Sequence, residues 1–327
     1  SPPPDSLEKA IERLASASAV CQLLNIEISS KALHYRDGVL SARPIIASLL
    51  SEHSLAYLLG SRLFIDSGQH QVKLYPDELL PFLAARRLAS LVKSPEDARR
   101  LLANFTWRST TGECGVYRPL LALAGWLAVF CTHCRRELLV IEPQAVAFFG
   151  DLRNPHLPLT EASDALERTI KRLVEEGDSL GRSYYTLTAE NYWQAAKPGI
   201  ESILVALFEK YGSDWHAKDA LLNIAGHARL DVFRDTVLDS HGRDYGKLLD
   251  DQLDMGYILA LGRRDDLLAL GAALRDRPEI PESRVARLLA ELAWKALDAR
   301  AISEITAAQF RRGRGGFTTN WVLTRSV

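Results

Sequence analysis

The clearest chemical signal in this sequence is a pair of cysteines, Cys131 and Cys134, separated by two residues. This spacing is typical of a redox pair or of half of a zinc knuckle. A tetrahedral zinc site needs four ligands, so Cys114 and one more group would have to join the pair. The chain has no second close pair of ligands to set the geometry. We therefore predict no metal site, and we expect both cysteines to pack as small apolar residues in a helix with His133 at its exposed end.

Histidines and acidic residues are scattered without a known catalytic or metal-binding spacing such as H-E-x-x-H. Surface or helix-capping positions are expected for His53, His70, His133, His216, His227 and His241. The adjacent acids Asp250-Asp251 and Asp265-Asp266 point to different faces of a helix, so we expect them to be solvated. No residue is predicted to be catalytic, and the chain is not expected to be an enzyme.

Phosphate-binding signals are weak. The sequence contains no Gly-x-x-x-x-Gly-Lys-[Ser/Thr] motif, so it offers no P-loop for a nucleotide. Residues 310–317 combine arginine, glycine and phenylalanine, as do segments that contact phosphates and bases, and Arg311, Arg312 and Arg314 are the candidate nucleic-acid contacts. We favour a linker into further repeats. The 40 Lys and Arg residues are balanced by 41 Asp and Glu, and this net charge of −1 disfavours nucleic acid as the main partner.

Most elements that must position these residues are amphipathic helices. Apolar residues recur with helical spacing behind Ser, Thr, Asp or Pro start signals, as in residues 7–14. The interval 63–75 differs, because two β-prone runs flank Asp66-Ser67-Gly68, which predicts a short hairpin. Helices followed by a hairpin are the outline of a winged-helix-like module, which we predict for residues 1–92.

The C-terminal half carries an internal echo. Segments 222–226 and 258–262 are both mostly apolar, end in glycine and lie 36 residues apart. This spacing predicts HEAT-like helical hairpins over residues 181–327, which bury their apolar faces by stacking into an α-solenoid. An irregular helical bundle is the alternative. With a helical connector over residues 93–180, the predicted fold is mainly α.

The composition excludes a disordered chain and a membrane-spanning one. The 327 residues are 47% hydrophobic, without an apolar run near the roughly 18 residues that a bilayer span needs. Four scattered cysteines and the lack of a signal-peptide pattern favour a cytoplasmic location. The start Ser1-Pro2-Pro3-Pro4 and the single methionine, Met255, lead us to expect an excerpt from a longer protein.

The segment 74–88 carries a resemblance to a known family. It reads Leu-Tyr-Pro-Asp-Glu-Leu-Leu-Pro-Phe-Leu-Ala-Ala-Arg-Arg-Leu. This resembles the end of the winged-helix region of NACHT-type NTPases of the STAND class, in which an aromatic residue and a histidine precede Glu-aromatic-Leu-Ala-Ala. The residues that match this motif are Tyr75, Phe82, Leu83, Ala84 and Ala85.

Other stretches agree with the same family in the same order. Residues 7–20 resemble its preceding helix, and Leu63-Phe64 resembles the strand before its hairpin. Residues 123–128 resemble its following Trp-Leu-Ala helix. Residues 142–151 are similar to a Pro-x-x-Leu-x-x-Gly-Asp stretch of bacterial members. The resemblance spans roughly residues 7 to 175.

What the resemblance implies is a regulatory and sensor segment. In this family the winged helix holds a P-loop ATPase inactive until C-terminal repeats sense a ligand, often in antiphage defence. ATP or ADP is then expected in an NTPase domain upstream in the same polypeptide, with no cofactor in this chain. The family's nucleotide-contacting histidine falls at Pro76 and its glutamate at Pro81. Proline cannot make the phosphate contact, so we expect a sensor that is weakened or supplied by another residue.

The expected partners follow from the same resemblance. They are a protein or peptide ligand on the helical repeats, the upstream NTPase domain and a second copy of the chain, but not a membrane. The alternative is an independent helical-repeat scaffold that binds a protein or peptide and has no NTPase in the same polypeptide.

Overall fold

The computed structural model describes residues 3–27, 38–68, 70–110, 112–155, 157–176, 187–277, 288–289, 291–292, 295 and 299–310. It is mainly helical with a small sheet, which confirms the predicted class. The chain forms two compact units, Ser1–Thr169 and Ile170–Val327. The first unit holds the predicted winged-helix-like segment and most of the predicted connector. The predicted boundary at residue 180 lies outside the described residues, and the division into three segments stays a prediction.

The first unit begins with helices around a four-stranded sheet. Its elements up to residue 91 are α1 (Pro4–Cys21), β1 (Asn25–Glu27), β2 (Val39–Ser41), α2 (Ala42–Ile46), α3 (Glu52–Leu59), β3 (Phe64–Gly68), β4 (Gln71–Leu74) and α4 (Leu79–Leu91). The strand order is β2-β1-β4-β3, with β1 and β2 parallel and the other pairs antiparallel.

The predicted hairpin is confirmed as β3 and β4. Phe64 lies opposite Leu74, and the register shifts between Asp66 and Gly68. Gly68 takes a positive φ of 85°, which glycine adopts without steric cost, and its N–H donates to Asp66 Oδ1 at 2.7 Å. The turn residues therefore act as their types predict.

One apolar core joins the sheet to the helices around it. Its buried members come from α1, from the strands and from α2 and α3, and include Ala10, Leu14, Ile26, Ile46, Leu58, Phe64, Val72 and Leu74. The face of α1 that the helical spacing predicts is the face that is buried.

The rest of the first unit is helical apart from a second hairpin. Its elements are α5 (Pro95–Leu102), β5 (Thr106–Arg108), β6 (Cys114–Val116), a 3₁₀ turn (Arg118–Leu120), α6 (Leu121–Phe130), α7 (Thr132–Ile141), α8 (Pro143–Phe149) and α9 (Leu159–Glu176), which runs on into the second unit. Ser94 caps α5 by accepting the Asp97 N–H at 3.2 Å, with Pro95 at the first helical position. The β5–β6 hairpin is not predicted from the sequence.

The second unit is helical throughout its described part. Its helices are α10 (Ala189–Ala195), α11 (Glu201–Tyr211), α12 (Trp215–His227), α13 (Arg234–Ser240), α14 (Tyr245–Leu248), α15 (Gln252–Leu261), α16 (Arg264–Asp276) and α17 (Ala299–Phe310). Helix α12 packs against α10, α11 and α15, and α16 packs against α14 and α17.

The internal echo corresponds to two helices in contact. Segment 222–226 lies in α12, and segment 258–262 closes α15. The two helices approach so closely that a Cβ on Gly226 would lie 2.8 Å from the Cβ of Ala260. Gly262 ends α15 in the left-handed conformation with a φ of 72°, as a helix-terminating glycine commonly does.

None of the helices in the described ranges combines the length and hydropathy that crossing a bilayer requires.

Candidate functional site

The residues that carry the family resemblance lie at the start of α4 and on its buried face. Tyr75 and Pro76, joined by a cis peptide bond, are exposed between β4 and α4, with Tyr75 51% exposed. Ala84 and Ala85 are fully buried, and Leu83 packs against the core of the first unit. The small alanines let α4 pack closely against both α1 and α6.

Phe82 forms an aromatic cluster between α4 and α6. Its ring meets Trp126 edge-on at a centroid distance of 5.0 Å and an angle of 85°, and meets Phe130 at 5.3 Å and 75°. Trp126 and Phe130 stack at 5.9 Å. These distances and angles are those of favourable aromatic pairs. The motif on α4 therefore binds the Trp-Leu-Ala helix directly.

Arg86 connects the other side of α4 to α1. Its guanidinium forms ion pairs with Glu8 and Glu12 and lies 6.0 Å from the centroid of the Phe82 ring. Arg86 therefore links the two glutamates of α1 to the aromatic cluster.

Helix α6 also crosses the end of α8 at two glycines. A Cβ on Gly125 would lie 2.2 Å from the carbonyl carbon of Phe149, and one on Gly150 would lie 2.8 Å from the Gly125 oxygen. Real Cβ atoms do not approach other atoms this closely, so the crossing requires glycine at Gly125. The Gly-Asp stretch of the resemblance thus touches its Trp-Leu-Ala helix.

The second unit contains a cleft lined mainly by polar residues, which is not predicted from the sequence. Its volume is about 770 Å³, and it is lined by Ser213, Trp215, Lys218, Asp219, His241, Lys247, Asp250, Asp251, Gln252 and Leu253. Trp215 is 51% exposed at its wall. A second cleft of about 680 Å³ adjoins it, because Asp219, Gln252 and Leu253 line both.

A buried carboxylate lies behind the first cleft. Asp254 is 2% exposed; its Oδ1 lies 2.7 Å from the Lys218 ammonium, and its Oδ2 lies 3.0 Å from His241 Nε2. A carboxylate removed from water requires such partners. Asp251, at the cleft surface, lies 3.7 Å from the Lys218 ammonium and 4.0 Å from His241 Nε2.

The ligand types in this cluster also suit a divalent cation. Oxygen or nitrogen atoms of His241, Asp251 and Asp254 lie within 4.8 Å of one another. The Lys218 ammonium, however, lies beside both carboxylates and supplies their positive partner. We therefore assign the cluster to an ion-pair network.

The contact between Lys218 and Asp254 is not predicted above, although their sequence separation contains a signal for it. Lys218 and Asp254 are 36 residues apart, the same separation as the echoed segments 222–226 and 258–262. The Lys295 ammonium donates to the Leu259 carbonyl at 3.0 Å over the same interval of 36 residues. Residues at equivalent positions of stacked helices are therefore neighbours in this unit.

The expectation that the adjacent acids are solvated is wrong for Asp266. This residue is fully buried and accepts from Arg234 at 2.7 and 2.8 Å and from the Tyr245 hydroxyl at 2.6 Å. Burial opposes ionisation, but these hydrogen bonds outweigh it and hold the pKa of Asp266 below its usual value. Burial and Asp266 together raise the pKa of Tyr245 to about 12. Asp265 is exposed, as expected.

Two histidines have partners that the sequence does not indicate, although His241 is the C-cap of α13, one of the expected capping positions. His241 is half-buried against Asp254. His227 is half-buried and stacks on Tyr192 at 5.8 Å, and burial lowers the pKa of His227. Neither partner is near in sequence, which is why spacing could not reveal them.

The cysteines Cys131 and Cys134 are buried, as predicted, with Cys131 6% and Cys134 0% exposed. Cys131 is the N-cap of α7, and His133 lies half-buried in the first turn of that helix instead of at an exposed end. Among the residues that the structure describes, the two sulfurs do not converge with a third metal-binding side chain.

The candidate nucleic-acid contacts Arg311, Arg312 and Arg314 lie outside the described residues.

Comparison of the chain with family models, with curated proteins and with solved structures finds no match.

Proposed function

We propose that this chain is the non-catalytic regulatory and sensor segment of a NACHT-like STAND NTPase. The observation that supports this most directly is the convergence of the resembling segments. Residues 82–85, 123–128 and 142–151 are separate in sequence, yet the aromatic cluster and the crossing at Gly125 and Gly150 join them. Segments that match a family in order and also pack together are expected from a shared structural unit.

The winged-helix-like module is part of the same proposal. Helices α1 to α3 precede the β3–β4 hairpin, α4 follows it, and all of them surround one core. This order agrees with a winged helix whose last helix carries the family motif. In this proposal, ligand binding to the second unit causes a conformational change, and α4 and α6 transmit that change to the upstream NTPase domain, which binds ATP or ADP.

HEAT-like repeats are proposed for the second unit. Support comes from the packing of α10, α12 and α15 in succession and from contacts between residues 36 apart. The two clefts are the proposed place for a protein or peptide ligand, with Trp215 as an exposed aromatic anchor. A cytoplasmic location, self-association and a role in antiviral defence belong to this proposal through the family resemblance alone.

The test begins with the gene on the 5′ side of the Ser1 codon. An in-frame P-loop followed by an acidic strand end would support the proposal. A start codon within a few residues of Ser1 would contradict it and favour the independent helical-repeat scaffold.

Pro76 gives a second test in the full-length protein. Pro76→His restores the family's phosphate-contacting residue, so we expect ADP to bind more tightly. Pro81→His is the matched control, because it adds the same side chain at the motif position where the family has glutamate instead of the phosphate-contacting histidine. Unchanged ADP affinity in the Pro76 variant would contradict the assignment of this position.

A further inference from the structure

We propose that Cys131 and Cys134 form a peroxide-reactive thiol pair that closes to a disulfide at the junction of α6 and α7. The inference concerns the chain's own residues and does not depend on the proposed function.

The two thiols are already positioned for bond formation. Cys131 follows α6 directly and caps α7 in an extended conformation with a φ of −133° and a ψ of 109°. Its sulfur accepts the backbone N–H of Cys134 at 3.3 Å. In a helical turn the Cα atoms of residues three apart lie about 5 Å from each other, which is within the roughly 4.4–6.8 Å that a disulfide spans between Cα atoms.

The surroundings make the two cysteines unequal. The Cys134 thiol and the backbone N–H groups of Cys134 and His133 donate toward the Cys131 sulfur. These donors stabilise the thiolate and lower the pKa of Cys131 below the usual value of a thiol, although burial opposes this. The same contact and burial raise the pKa of Cys134. Cys131 lies at the N-terminus of α7, accepts a backbone N–H there and is the less buried of the two, so it is the nucleophile and Cys134 the resolving thiol.

The low solvent exposure of the two cysteines favours a small oxidant. Cys131 is 6% exposed and Cys134 is fully buried, while Thr132 between them is exposed. A residue this buried favours hydrogen peroxide, a very small oxidant, over glutathione disulfide, which is a much larger molecule. Arg135 fixes this corner, because its guanidinium donates to the Ala128 carbonyl at 2.6 Å and pairs with Glu161.

The chemistry balances with hydrogen peroxide as the oxidant. The Cys131 thiolate attacks one peroxide oxygen, the O–O bond breaks, and Cys131 sulfenic acid and hydroxide form. The Cys134 sulfur then attacks the Cys131 sulfur; its proton and the sulfenic hydroxyl leave as water as the disulfide forms. Two thiols are oxidised by two electrons, and one peroxide is reduced to water.

The experiment treats the folded chain with limiting hydrogen peroxide, quenches with alkylating reagent in denaturant and maps the cysteines by mass spectrometry. Exposed Cys21 is the internal control. We expect the Cys131–Cys134 disulfide to form about tenfold faster than Cys21 is oxidised. We also expect glutathione disulfide to modify Cys21 and to leave the pair reduced. Oxidation of Cys21 before the pair, or glutathione on Cys131, would overturn the proposal.

Variants separate the two roles. In Cys134→Ser, Cys131 should stop at the sulfenic acid, which dimedone added with the denaturant traps. In Cys131→Ser, Cys134 should stay a thiol under the same peroxide treatment. Oxidation of Cys134 in that variant would show that the roles are assigned wrongly. The wild-type rate comparison decides the proposal even if a variant does not fold.

Discussion

Two helical glycines show that the cost of one methyl group depends on what the methyl group meets. A Cβ on Gly125 would lie 2.2 Å from a backbone carbon, whereas a Cβ on Gly256 would meet nothing within 4 Å. We expect Gly125→Ala to lower the free energy of unfolding by about 3 kcal/mol, because α6 and α8 must separate. Gly256→Ala, the control, should raise it by up to about 1 kcal/mol through helix propensity.

Urea unfolding followed by circular dichroism measures both changes. Similar unfolding midpoints for the two variants would contradict the close crossing of α6 and α8.

Asp266 and Asp265 are neighbours in sequence with opposite environments. Asp266 is buried beside Arg234 and Tyr245, and Asp265 is exposed. At pH 7 we expect Asp266→Asn to lower the free energy of unfolding by about 3 kcal/mol, since it removes one charge of a buried pair. Asp265→Asn should change it by less than about 0.5 kcal/mol.

The effect of Asp266 also depends on pH in a defined direction. Its pKa in the folded state lies below the unfolded value of 3.8. Its contribution is therefore present above about pH 4 and is lost as the pH falls through the lower folded-state pKa. Urea unfolding of wild type and Asp266→Asn should give a stability difference that shrinks on acidification. A difference independent of pH would contradict the ionised pair.

At the scale of elements, Phe82 tests the contact between α4 and α6. Removing its ring eliminates two aromatic contacts, so we expect Phe82→Ala to lower the free energy of unfolding by about 2 kcal/mol and to shift Trp126 fluorescence. Tyr75→Ala alters an exposed residue of the same motif and should cost less than about 0.5 kcal/mol. Equal effects would show that the aromatic cluster does not join the two helices.

The stacking of α12 on α15 is tested by the pair Lys218 and Asp254. A double-mutant cycle with Lys218→Met and Asp254→Asn should give a coupling energy of about 2 kcal/mol, because the carboxylate is buried. The exposed pair Asp164 and Arg168 on α9 is the control and should give less than about 0.5 kcal/mol. A coupling energy as small as that of the control pair would contradict the contact between Lys218 and Asp254.

For the whole molecule, charge balance predicts weak nucleic-acid binding. A net charge of −1 gives the chain no overall attraction to phosphates. The candidate contacts are therefore the clustered arginines Arg311, Arg312 and Arg314. Three phosphate contacts give a slope of log K against log salt no steeper than about −3 on duplex DNA. Fluorescence anisotropy with a labelled duplex from 50 to 200 mM salt, roughly the range over which phosphate contacts show, measures this slope. Submicromolar binding that survives alanine at all three arginines would contradict the prediction.

The sequence by itself determined the mainly helical class and the first hairpin. Helical spacing of apolar residues, the Ser94-Pro95 start signal and the Asp-Ser-Gly turn are local features, and local features act through backbone geometry and nearby hydrogen bonds. The burial of Cys131 and Cys134 also followed from residue type.

Only the tertiary structure decided which distant residues meet. The partners of Asp266 are 32 and 21 residues away, and the partner of His241 is 13 residues away. Burial of a charge depends on how helices stack, and one sequence gives no direct measure of stacking. The 36-residue echo was the one sequence feature that indicates which distant residues meet. In a fixed repeat, residues one repeat apart occupy neighbouring positions on adjacent helices.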